Sequence, residues 1–466
     1  MSRKPPNILL IHCDQHRFDC VGANGHPLVQ TPHLDRLAAE GVNFTHAFTP
    51  TAICSPARAS LLTGTFPCQH GCIAIPGHEH YRPARGDLPK FPPLLAERGY
   101  RLGYVGRYHN EVEGDPTDFG FETFIANEQY GAWRAAQGLA PPPGGAFRDF
   151  FGVTDDHVAP EQTEIAWLAD HVIDLLNGYA GSDDPFMLRW DTVEPHLPCV
   201  CPEPYASMYD PASIAPWPGF DDPLEGKPWI QAQQPRNWGV DGWDWARWAP
   251  TVAYYLGVIS LLDAQVGRVL EALDRLDLAE RTLVVYTADH GDLCGGHGMV
   301  DKHFVMYDDV QRVPLIARWP AGLEAGGTCE DMLIQEIDLA STFCDAAAAP
   351  VPSTFEGRSI LRAARGEDTA PRADVFGEWS GGQFGLYSQR MVRDRRWKYV
   401  WNCTDVDELY DLETDPGEIR NLAGDPTHAE QLQRLRLRLV AWMEKLGDVK
   451  LNIWTRPLLE GRDVYS

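Results

Sequence analysis

The 466-residue sequence predicts an α/β protein: a large, mostly parallel sheet sandwiched by helices, followed by a smaller C-terminal α+β unit with an antiparallel sheet. Three observations predict it. Short, continuous apolar runs alternate with helical patterns through the first two thirds of the chain, the signature of parallel strands buried on both faces. After about residue 350 the texture changes to strands joined by tight turns, then one long helical run. With 44% apolar residues the chain has the material for a sizeable core.

The strand candidates are "NILLI" (7–11), "LGYV" (102–105), "FMLRW" (186–190) and "TLVVY" (282–286). Helical patterns lie between or beside them in "HLDRLAAEG" (33–41), "FPPLLAERG" (91–99) and "SLLDAQVGRVLEALDRL" (260–276). "MVRDRRWKYVWN" (391–402) reads as an antiparallel pair. "DELYDLETDPGEIRNLAG" reads as strand, turn and helix start, and "HAEQLQRLRLRLVAWMEKLG" as a helix. These place a catalytic domain over 1–360 and a smaller domain over 361–466. "APPPGG" (140–145) reads as a loop, and the Trp-rich stretch 216–248 shows little helix or strand period. Its tryptophans either wall a substrate or cap the core.

A formal charge of −26 argues against nucleic acid or an anionic membrane surface as partner. No apolar run reaches the length of a membrane span, and "NILLIH" is too short for a signal core. Eleven cysteines, an odd number, fit a reducing compartment better than a disulfide framework, so a cytoplasmic setting is expected. An anionic substrate would need a local basic exception to the acidic field.

In a parallel sheet, ligands gather at the carboxyl ends of the strands. Here those ends deliver ionisable residues four times: His12, Asp14, Gln15 and His16; Arg107 and His109; Asp191 and His196; Asp289 and His290. A fifth segment, "PTAICSPARASLLTG" (50–64), sets Cys54 at the mouth of a helix that stops at Gly64. Pro56 suits its first turn and Ser55 its cap. Cys54 thus faces free N–H groups and the positive end of the helix dipole, with Arg58 one turn in: an anion site. Three readings compete for the cysteine: a buried structural thiol, a thiolate nucleophile, or a precursor of another group. The familiar thiolate loop for phosphate needs a longer gap between Cys and Arg than the three residues present here.

"CSPAR" followed by "ASLLTG" resembles the signature of the type I sulfatases of the alkaline phosphatase superfamily. Other segments resemble that family's landmarks in the same order: "NILLIHCDQHR", "GYRLGYVGRYH", "VEPHLP", "YTADHGDLCGGHGMVDKHFVMYDDVQRVPLIARWP", "IQEIDLASTFCDAA" and "ELYDLETDPGEIRNL". The resemblance runs from residue 7 to about 422. It implies that Cys54 is oxidised after translation to formylglycine, by a formylglycine-generating maturation enzyme, and hydrated to a geminal diol. It implies one divalent cation held by Asp14, Gln15, Asp289 and His290, with Ca²⁺ first and Mn²⁺ or Mg²⁺ as alternatives. Arg58 would steady the diol, Arg107, His196 and Lys302 would grip the sulfate oxygens, and His109 would assist the hydroxyl that later collapses. His196 or Lys302 would be the general acid. The expected substrate is a small anionic ester, an aryl, alkyl or sugar sulfate.

The chain departs from the family pattern twice. Gln15 stands where a second aspartate is expected, as in choline sulfatases and the phosphonate monoester hydrolases. Arg107 replaces a lysine, with Tyr108 and Gly103 also unlike the pattern. A phosphonate monoester or phosphodiester hydrolase, promiscuous with sulfatase activity, is therefore the alternative, and an anion-binding protein without turnover is a third reading. His297 and Asp301 are candidates for the leaving-group pocket. The segment 377–388 is a candidate specificity loop. The tail "LNIWTRPLLEGRDVYS" is free to dock on its own domain or on a neighbouring copy, so a homo-oligomer is among the expectations.

Overall fold

The computed structural model describes residues 4–109, 111–144, 151–365, 372–381 and 385–462. The end of "APPPGG", the middle of the 377–388 loop and the last four residues of the tail lie outside them, as do 366–371 beside the expected domain boundary.

Eight strands form the main sheet: β1 (Asn7–Asp14), β2 (Val42–Phe44), β3 (Arg101–Gly106), β4 (Thr123–Ala126), β5 (Phe186–Pro195), β6 (Thr282–Ala288), β7 (Leu315–Arg318) and β8 (Gly327–Cys329). Their order across the sheet is β8-β2-β7-β6-β1-β5-β3-β4. The five from β6 to β4 run parallel, and β7 runs antiparallel to both its neighbours. β1 and β6 are buried at every position. This is why their sequences read as unbroken apolar runs rather than alternating ones.

Helices α1 (Pro32–Glu40), α2 (Cys54–Thr63), α3 (Glu164–Tyr179) and α4 (Trp245–Arg275) belong to this layer. α4 begins well before the predicted 260, because the Trp-rich segment supplies its first turns, capped by Asp244 accepting from Arg247 N. That segment also forms a helix over Trp229–Trp238. Trp217 and Trp248 are buried there while Trp229 is 66% exposed, so its tryptophans divide between core and surface.

The last four strands, β9 (Val375–Gly381), β10 (Tyr387–Arg393), β11 (Trp397–Asn402) and β12 (Glu408–Asp411), make an antiparallel sheet in chain order. α5 (Ala429–Leu446) packs on it through Leu435, Leu439 and Met443, and Phe66 and Ile337 reach into the same apolar cluster. Lys398 on β11 crosses to the larger sheet's side, donating to Met306 O at 2.9 Å and Asp308 Oδ1 at 2.5 Å. No helix among the described residues is long and apolar enough to cross a membrane.

Candidate active site

The parallel register sets the site. His12 of β1 lies opposite Asp191 of β5, Gly106 of β3 opposite the same Asp191, and Cys13 opposite Ala288 of β6. Asp14, Arg107, Asp191 and Asp289 therefore emerge side by side. The packing at this edge leaves no room for a side chain at 106: a Cβ on Gly106 (φ +114°) would sit 1.8 Å from Asp191 O.

α2 delivers Cys54 to the same edge. Its N-cap is Ile53 with no side-chain cap, and it ends on Gly64 in the left-handed conformation. Ser55 does not cap the helix as expected; its Oγ donates to His109 O at 2.7 Å, tying α2 to the segment after β3. Cys54 Sγ lies 3.3 Å from His290 Nε2 and 3.6 Å from Asp14 Oδ1. Burial pushes this thiol up, but Lys302 and His290 outweigh it and hold it well below the usual thiol range.

Arg58, one turn further, is fully buried and faces three carboxylates. Nε donates to Asp289 Oδ2 at 2.9 Å, Nη1 to Asp191 Oδ2 at 2.6 Å and Nη2 to Asp14 Oδ2 at 3.1 Å. Arg107 Nη1 also donates to Asp14 Oδ2, at 2.7 Å. Burial alone would raise the Asp14 carboxyl, as would the Cys54 sulfur. The surrounding cations nonetheless keep it below its ordinary value.

Asp191 is a hub that the motifs do not single out for a role. It also accepts from Arg189 Nε and Nη2 at 2.7 and 2.6 Å, and it meets His12 Nδ1 at 3.2 Å. Arg189 is held in turn by Glu111 at 3.1 and 3.2 Å. His12 Nε2 meets Glu336 Oε1 at 3.0 Å. Burial disfavours charge on His12, yet a carboxylate at each ring nitrogen lifts it to about 9. In sequence, His12 and Asp191 show only as ionisable residues at strand ends, and Arg189 as a charge inside an apolar run. Buried charges there need partners.

On the other side, Lys302 Nζ donates to Gln15 Oε1 at 2.5 Å and lies 2.8 Å from His196 Nε2 and 3.2 Å from Asp301 Oδ1. His196 Nδ1 is against the carbonyl of Leu197, which can only accept. The ring therefore carries its proton on Nδ1, and Nε2 accepts from the lysine. Gln15 Nε2 donates to Asp301 Oδ1 at 3.0 Å and to Asp292 Oδ2. His109 Nε2 lies 3.4 Å from Arg107 Nη2. His297 lies apart from this cluster, bonded to Asp222 and stacked on Tyr307.

Donor atoms of Asp14, Cys54, Asp289 and His290 all lie within 4.8 Å of one another, and all four residues are buried. His290 Nδ1 is 2.8 Å from Gly291 O, which fixes Nδ1 as the N–H and turns Nε2 inward. Two carboxylates and an imidazole fit a divalent cation.

Comparison with known proteins agrees with this geometry. The sulfatase family model matches residues 6–349, and the model described as N-sulphoglucosamine sulphohydrolase, C-terminal, matches 295–445. The uncharacterized sulfatase YidJ of Escherichia coli (strain K12) is 29% identical, over 96% of this chain and 88% of its own. The arylsulfatase of Clostridium perfringens (strain 13 / Type A) is 28% identical over 94% of each chain. Among solved structures, the phosphonate monoester hydrolase of Agrobacterium radiobacter superposes with a TM-score of 0.81 at 26% identity, covering 95% of this chain and 96% of that one. The chain is a hydrolase that belongs to the sulfatase family of the alkaline phosphatase superfamily.

Proposed function

We propose that the protein hydrolyses a sulfate ester to an alcohol and inorganic sulfate at residue 54, after Cys54 has been oxidised to formylglycine and hydrated. One observation carries this reading: Cys54 Sγ stands at a helix N-terminus between Asp14 and His290. A divalent cation at Asp14, Asp289 and His290, Ca²⁺ before Mn²⁺ or Mg²⁺, would supply the Lewis acidity that makes a hydroxyl of residue 54 nucleophilic at neutral pH.

The rest of the work falls to side chains. Arg58 spends its three nitrogens on carboxylates, so it acts on residue 54 by positioning Asp14 and Asp289 rather than by direct contact. Arg107 and Lys302 present fixed positive charge to a sulfate arriving at residue 54, stabilising charge that grows in the transition state. Lys302 donates to His196 Nε2, so the proton for the departing oxygen comes from Lys302 directly, or from His196 once its Nε2 has taken the lysine proton. His109, beside Arg107, is the base for the second hydroxyl. Gln15 orients Lys302 through Oε1; its place as a neutral oxygen ligand would require that oxygen to be shared.

A cytoplasmic setting, which rests on the odd number of eleven cysteines in the sequence, and a division at 360/361 belong to the same proposal. A second reading, phosphonate monoester hydrolysis, is supported by the likeness to the Agrobacterium enzyme and by Gln15. Comparing kcat/KM for an aryl sulfate and the matching aryl phosphonate monoester separates the two. We expect the sulfate to lead; a phosphonate preference of about 100-fold, roughly 2.7 kcal/mol in barrier, would reverse the assignment.

A further inference from the structure

A cavity of about 190 Å³ opens beside His196. Tyr130, Glu164 on α3, Val193 and Glu194 at the end of β5, and Val258 on α4 are among its walls. Glu194 Oε2 is buried and receives no hydrogen bond from any described residue. Glu164 Oε1 accepts from Asn127 Nδ2 at 3.0 Å. The guanidinium in the wall, Arg134, is paired with Asp155 at 2.7 and 3.1 Å, and no described residue forms an ion pair with Glu164 or Glu194.

Two half-buried carboxyl groups, one with its Oε2 closed off from solvent, thus share a cavity walled by both apolar and charged side chains without a cation of their own. For packing alone, an amide of the same shape would serve without the desolvation cost of an acid. Burial, then the neighbouring Glu164, pushes Glu194 up to about 8, and burial raises Glu164 as well. The backbone of Glu194 and Val193 for Glu194, Asn127 for Glu164, and Arg107 more weakly for both, only partly offset this.

We propose that this cavity receives the departing alcohol half of the substrate, and that Glu194 with Glu164 selects an alcohol bearing a protonated amine. The inference rests on the hydrolytic reading above in one respect: His196 has to face the ester oxygen. The ammonium N–H groups would meet Glu194 Oε2 and the free lone pairs of Glu164, while Val193 and Val258 cover the carbon skeleton. The groups facing Glu194 are Glu164, Arg107, His196 and the closed Arg134–Asp155 pair, so a bound cation would be the change that turns Glu194 into its carboxylate. Binding at neutral pH would therefore release a proton.

The test uses the formylglycine-bearing enzyme with 4-(aminomethyl)phenyl sulfate and 4-methylphenyl sulfate. A charge-assisted hydrogen bond predicts a kcat/KM ratio of at least about tenfold for the amine, carried mainly by KM. Glu194→Gln, with its fold checked by thermal melting, should bring that ratio to near one. Equal kcat/KM values in the wild type, or a ratio that Glu194→Gln leaves unchanged, would overturn the proposal. Calorimetric binding of 4-(aminomethyl)phenol and 4-methylphenol, in two buffers of different ionisation enthalpy, reads the cavity without turnover. Tighter binding of the amine with proton release supports it, even if no sulfate is cleaved and the hydrolytic reading alone fails. Equal binding without proton release overturns it.

Discussion

Lys302 Nζ and His196 Nε2 lie 2.8 Å apart, with the opposite nitrogen of the imidazole turned to the carbonyl of Leu197. The pair is a proton donor and acceptor of fixed orientation, brought together from the end of β5 and the loop beyond β6, 106 residues apart in sequence. If it protonates the departing oxygen, its loss should matter most where that oxygen needs the proton most.

Lys302→Ala should therefore lower kcat by roughly 10²- to 10⁴-fold on an alkyl sulfate. The loss on 4-nitrophenyl sulfate should be smaller, because nitrophenolate departs without help. Steady-state kinetics on the two substrates read the difference; equal losses would assign Lys302 to sulfate binding alone.

Among the described residues, Arg58 is the one cation touching Asp14, Asp191 and Asp289 together, and all four side chains are shielded from water. Arg58→Ala leaves Asp289 without a guanidinium and Asp14 and Asp191 with only Arg107 and Arg189, a change of about 3–5 kcal/mol. We expect a large drop in melting temperature with activity lost. Lysine, a point charge without the planar fork, should restore little of either.

Gln15 donates from one amide nitrogen to Asp292 and Asp301 and accepts from Lys302. An aspartate at 15 would set a third carboxylate against two. Gln15→Asp should lower stability by about 1–3 kcal/mol in chelator-treated protein, measured by urea unfolding. Added Ca²⁺ should recover part of the loss if the new carboxylate joins the cation site.

Asp263 on α4 caps α1, accepting from His33 N at 3.1 Å and Leu34 N at 2.8 Å. Burial pushes its carboxyl up to about 7, against about 3.9 in an unfolded chain. Between those values the folded state holds the extra proton. Its contribution to stability is thus complete below the unfolded value and lost as pH rises through about 7. Relative to Asp263→Asn, the wild type should lose stability between pH 5 and pH 8 in urea titrations.

What was legible in the sequence was what backbone pattern decides. Strands buried on both faces announce themselves as apolar runs, and a parallel sheet puts Asp14, Arg107, Asp191 and Asp289 at one edge. The family resemblance then named Cys54 and Lys302 as partners in one site. Less legible were roles settled by packing. Ser55 reads as a cap, but His109 O is within reach and takes its hydroxyl. The Trp-rich stretch has weak period because its helices bury some tryptophans and expose others. Glu194 lies inside "VEPHLP" but that motif points to His196, and Glu164 carries no motif; only the approach of α3 to the end of β5 makes them neighbours.

The central claim is that residue 54 acts after conversion, not as a thiol. The tryptic peptide Leu37–Arg58 carries it, and conversion makes that peptide about 18 Da lighter. Protein prepared with graded amounts of a formylglycine-generating enzyme should show sulfate turnover proportional to the fraction of lighter peptide, extrapolating to zero where only the thiol is present. Undiminished turnover from protein whose Leu37–Arg58 peptide is wholly thiol would contradict the account.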